Sequence, residues 1–116
     1  MNRLTIIGNL TADPERRVTN TGKEVCIFRV AVNRSGSDKA DFFRVSAWGE
    51  LGNNCAQYLA KGRKVAVVGS VSVSTYTNKN GEAAANLEVM AQDVEFLTPK
   101  HAGFTPVNDP DDPFRG

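Results

Sequence analysis

The chain has few of the residues that most reactions need. It holds one histidine, His101, and two cysteines, Cys26 and Cys55, in 116 residues. No Ser/His/Asp set, carboxylate pair or phosphate-cradling glycine loop occurs, which argues against an enzyme. The cysteines lack metal-ligand spacing and lie inside apolar patterns, so both read as small buried hydrophobes and no cofactor or metal is expected. No apolar run approaches the length of a membrane span. Met1-Asn2-Arg3-Leu4 begins to alternate at once, without a signal-peptide core, so the expectation is a cytoplasmic protein with no membrane contact. Neither sign of charge dominates, and the formal net charge is +1. Residues 1–100 hold 13 Lys/Arg against 10 Asp/Glu, whereas residues 101–116 hold one against three. A mildly basic body with an acidic tail is a pattern of nucleic-acid partners, and with so small an excess the placement of each cation matters more than the total.

What the chain does have is alternation. Segment 3–10 sets Leu4 and Ile6 on one face and Arg3, Thr5 and Ile7 on the other. Asp13-Pro14 and Asn20-Thr21-Gly22-Lys23 are breaks. Segment 25–34 points Cys26, Phe28, Val30 and Val32 inward, with Arg29 and Asn33, and also Val25 and Ile27, on the other side. Residues 50–61 change period: Leu51, Cys55 and Leu59 recur every four, which predicts a short amphipathic helix stopped at Gly62. Segment 64–76 sets Ser70, Ser72, Ser74 and Tyr76 against Val71, Val73 and Thr75, with Gly69 marking a bulge or bend. Asn78-Lys79-Asn80-Gly81 is a hairpin turn. Segment 86–97 carries Leu87, Val89 and Ala91 on one face. Five strands, with one short helix between the third and fourth, is the order of the all-β OB-fold, a five-stranded Greek-key barrel. After Pro99 periodicity ends, and a disordered acidic tail is expected.

The third strand, Asp41 to Trp48, carries most of the functional signal. Phe43, Val45 and Ala47 form a core stripe, and Phe42, Arg44, Ser46 and Trp48 share the opposite face. Two aromatics bracketing a cation on a wet face is the chemistry of a single-stranded nucleic-acid platform. An interface between subunits uses the same residue types, so this strand alone leaves both readings open.

Beyond these patterns, the chain resembles the bacterial and phage single-stranded DNA-binding (SSB) proteins. The resemblance rests on Asn2 to Leu10 with Asp13-Pro14-Glu15, Phe42-Phe43-Arg44-Val45 through Trp48-Gly49, Tyr58 to Gly62, Val65 to Gly69, Gly81 and Glu88-Val89. It spans residues 1–98 as an OB-fold DNA-binding domain and leaves 99–116 as a tail. It implies sequence-tolerant binding of single-stranded DNA in replication, recombination and repair, in the cytoplasm at the nucleoid. It also implies a homo-oligomer, usually a tetramer. Phe42, Trp48 and Tyr76 fall on stacking positions. Phosphate partners are drawn from Arg3, Arg29, Arg34, Arg44, Lys61, Arg63, Lys64 and Lys79. A fourth stacking aromatic of the family falls near Gly36, where this chain has none, and Ser72 and Ser74 stand where relatives often carry arginine. Asp111, Asp112, Pro113 and Phe114 resemble the family's docking tip for replication and repair proteins, here followed by Arg115 and Gly116. A protein-docking OB module and an RNA binder remain the competing expectations.

Overall fold

The computed structural model describes residues 1–97. Its elements are β1 (Leu4–Leu10), β2 (Glu15–Val18), β3 (Glu24–Asn33), β4 (Ala40–Trp48), α1 (Gly49–Tyr58), β5 (Lys64–Thr77) and β6 (Ala83–Phe96). The tail, with Asp111, Asp112, Pro113 and Phe114, lies outside the described residues.

The strands run in the order β1-β5-β6-β4-β3-β2, and a further β1–β3 pairing closes five of them into a ring. Every pairing is antiparallel except β4 with β6, which is parallel. This is the expected OB-fold barrel, with its one helix following β4. Closure depends on Gly8. A Cβ there would lie 2.2 Å from the carbonyl oxygen of Ala31, so only glycine lets β1 cross this close to β3.

Alternation sorts the core. Val30, Val45, Val65, Val67 and Cys55 are fully buried, and Phe28, Cys26 and Val89 nearly so. Cys55 brings α1 against this cluster, with Leu51 and Ala56 packed on it. No charged or polar residue is buried among the described residues.

Beyond the barrel, β5 and β6 continue as a two-stranded arm pairing Ser72–Thr77 with Ala83–Glu88. Its turn is held by the Asn78 side-chain oxygen, which accepts from the N–H groups of Asn80 (2.9 Å) and Glu82 (3.0 Å). The expected irregularity at Gly69 is present: Val68 pairs with Asp93 and Gly69 with Ala91, so Gln92 is the extra residue.

Three local expectations change. A short strand, β2, lies outside the ring at the free edge beside β3, where sequence showed only breaks. The helix ends at Tyr58, and Leu59 turns extended. Leu59 is nonetheless buried, so its spacing after Cys55 mimicked another helical turn. Val25 is also buried despite its outward parity, because Trp48 and Arg17 stand in register on either side of it.

Candidate nucleic-acid interface

Strand parity and register together build one face across β3, β4, β6 and β5. On β4 the outward side chains are Phe42, Arg44, Ser46 and Trp48. Trp48 stands six positions after Phe42, roughly 20 Å along the strand. Phe42 is 53%, Trp48 40% and Tyr76 48% exposed, so none of the three is a core side chain. Tyr76 stands on the arm opposite Ala84, whose small side chain leaves the ring open.

One rung crosses the middle of this face. Arg29 on β3 stands in register with Arg44, Arg44 with Glu88, and Glu88 with Ser72. Two guanidiniums directly opposite one another repel unless an anion lies near. Glu88 supplies one: its carboxylate accepts from Arg44 at 3.3 and 3.4 Å and from the Ser74 hydroxyl at 3.3 Å. Arg29 has no side-chain partner among the described residues.

The rung divides two grooves. One, of about 330 Å³, is lined by Arg29, Phe42, Arg44 and Tyr76, with Asp41 at its side. The other, of about 210 Å³, is lined by Trp48, Ser46, Ser70, Glu88 and Met90. Arg44 faces the first and Glu88 the second, so their ion pair forms the wall between.

The other candidate cations do not gather equally. Arg34 is held by Asp41, whose Oδ1 accepts from Nε at 3.0 Å and Nη2 at 2.8 Å. That hydrogen bond, and then the Asp41 charge, raises the guanidinium pKa further. Arg63 donates to the backbone carbonyl of Tyr58. Lys61, at the same helix-to-strand junction, donates its backbone N–H to Asp13 at 2.9 Å and keeps an exposed side chain. Lys64 is exposed beside it, Lys79 is exposed at the arm tip, and Arg3 is exposed before β1. Of the candidates among the described residues, Arg29, Phe42, Arg44 and Tyr76 share the first groove.

Sequence reasoning overlooked Glu88 and Met90 as members of this face. Their parity was legible, since they alternate with Leu87, Val89 and Ala91. Their place beside β4 was not, because the parallel β4–β6 pairing joins segments 44 residues apart. Among the described residues, no cluster of His, Cys, Asp and Glu could hold a metal ion, and no helix is long and apolar enough to cross a membrane.

The family model for the single-strand binding protein family matches residues 1–97. Single-stranded DNA-binding protein A of Bacillus subtilis strain 168 is 39% identical over 108 residues, which is 89% of this chain and 63% of the relative. Single-stranded DNA-binding protein 1 of Clostridium acetobutylicum is 37% identical over 106 residues, 86% of this chain and 96% of the relative. A single-stranded DNA-binding protein of Halalkalibacterium halodurans is 39% identical, and the chain spans 62% of its length. With its closed five-stranded barrel and a match over all the described residues, the chain belongs to the single-strand binding protein family.

Proposed function

We propose that this chain binds single-stranded DNA with little sequence preference, shielding it and bringing partners to it during replication, recombination and repair. The observation that carries the reading is the larger groove, where Phe42 and Tyr76 open beside Arg29 and Arg44. Rings offer stacking surfaces to any base, and guanidiniums attract phosphates. Trp48 extends the stacking path along β4. Arg3, Lys61, Arg63, Lys64 and Lys79 supply further phosphate contacts, while Arg34 contributes less because Asp41 already occupies it. The protein acts without catalysis, as a homo-oligomer of tetrameric type, in the cytoplasm at the nucleoid. Residues 1–98 form the binding domain. In the tail, 99–116, Asp111, Asp112, Pro113 and Phe114 dock replication and repair proteins. The names and identities of the relatives support this reading.

Trp48 is the only tryptophan, so its fluorescence reports on the face directly. Titration with oligo-dT is expected to quench it, and matched duplex is expected to leave it nearly unchanged. Equal or absent responses to both would replace this reading with a protein-docking barrel.

A further inference from the structure

We propose that Met90 is a base-contacting residue of the smaller groove, and that its thioether makes strand binding sensitive to peroxide. The proposal rests on the strand-binding reading above and adds to it a contact and a modification site.

Met90 stands on the outward face of β6, between β4 and β5 rather than at a sheet edge. It is 56% exposed, slightly more than Phe42. Its register partners are Ser46 on β4 and Ser70 on β5. Two small polar neighbours leave the side chain uncovered on both sides. Single exposed apolar residues are common and need no explanation. This one differs in its company: it lines the same groove as Trp48. Among the described residues lining this groove, Val89 is buried, so a base laid against the Trp48 ring meets Met90 as the exposed apolar side chain beside it.

The backbone beneath Met90 is held tightly. A Cβ on Gly69 would lie 2.1 Å from the Met90 carbonyl oxygen, so β5 runs close against this residue beside the bulge at Gln92. The anchor is rigid and the side chain is adaptable. An unbranched, polarisable thioether suits contact with rings of different shape, which a sequence-tolerant site requires.

The same exposure admits a peroxide. The sulfur lone pair attacks one peroxide oxygen. An S–O bond forms, the O–O bond breaks, sulfur loses two electrons, and the departing hydroxide takes the proton from the attacked oxygen and leaves as water. The resulting sulfoxide is polar and no longer an apolar contact surface.

The test uses the full chain, an oligo-dT binding titration, and the variants M90L and M90Q, each before and after hydrogen peroxide. Thermal midpoint and subunit count are read alongside. M90Q is expected to weaken binding about two- to tenfold, and M90L, which keeps an apolar side chain, to weaken it less than M90Q. Peroxide is expected to weaken the parent but not M90L. Met1 is the only other methionine and is present in both, so it serves as the internal control. Binding by M90Q equal to the parent, equal peroxide sensitivity in the parent and M90L, or a changed subunit count in M90Q overturns the proposal. A parent that binds no strand overturns the strand-binding reading and this one together; a binding parent with an indifferent M90Q overturns this one alone.

Discussion

The guanidinium of Arg44 and the carboxylate of Glu88 meet at 3.3 Å across the parallel β4–β6 pair, in the middle of the exposed aromatic face. A cation that sequence offers to phosphate is therefore partly occupied within the chain. The side chains are 37% and 23% exposed, so water and salt weaken the pair and a phosphate can compete for Arg44.

Replacing Glu88 with glutamine removes the competing charge but keeps the shape. E88Q is expected to bind single strands more tightly than the parent. Its log-affinity against log-salt slope should steepen by about 0.7, the value of one added phosphate contact. Stability should fall by no more than about 1 kcal/mol. A salt titration of both proteins, with thermal melts, checks this; an unchanged slope would mean that Arg44 does not reach phosphate.

Arginine on the arm should depend on the same carboxylate. Ser72 is the register partner of Glu88, and Ser74 donates to it. New guanidiniums at these positions find Glu88 before they find DNA. S72R/S74R is expected to steepen the salt slope modestly, and the same pair combined with E88Q to steepen it by more than the two separate changes summed. A combined change equal to that sum would remove Glu88 from the account.

The exposed rings and the core should separate cleanly under mutation. F42A and W48A are each expected to cost binding about 1–3 kcal/mol, the usual worth of one stacked base. Neither should lower the thermal midpoint much. F28A, which removes a buried ring, is expected to cost about 3–5 kcal/mol of stability. Midpoint and affinity measured on all three variants decide the matter. A large midpoint loss with unchanged affinity in F42A or W48A would assign that ring to packing.

The two thiols should be inert in the folded protein. Burial, and then the neighbouring Cys26, pushes the Cys55 pKa from 9.0 up to about 12. Burial also raises Cys26, with Arg16 pulling the other way. An alkylating reagent at pH 8 is expected to label neither thiol in native protein and both in denaturant. Because the folded values are raised, the unfolded chain releases these protons first. Stability is then full below pH 9 and falls as pH rises toward 12. Denaturant midpoints between pH 8 and 10.5 should decline in the parent and decline less in C55A.

Local periodicity carried much of the fold. Alternation in Leu4–Leu10, Cys26–Val32 and Phe43–Ala47 reports which side chains face the core, because strand parity is a property of a few consecutive residues. The short strand Glu15–Val18 escaped notice for a related reason. All four of its residues are exposed, so it has no buried face to alternate, and its ladder to β3 is invisible in sequence.

By itself, then, the sequence determined that Phe42, Trp48 and Tyr76 face outward and that Arg44 sits between two rings. It also determined that a barrel with one helix fits the order of segments. Only the tertiary structure decided which cations are free. Asp41 reaches Arg34 across the β3–β4 turn, and Glu88 reaches Arg44 across 44 residues of chain. It also decided that Met90 lies beside Trp48. The physical reason is that strand parity is local, whereas the neighbour of an outward side chain is chosen by sheet pairing. That pairing is set by burial of the shared core, on the opposite face from the site.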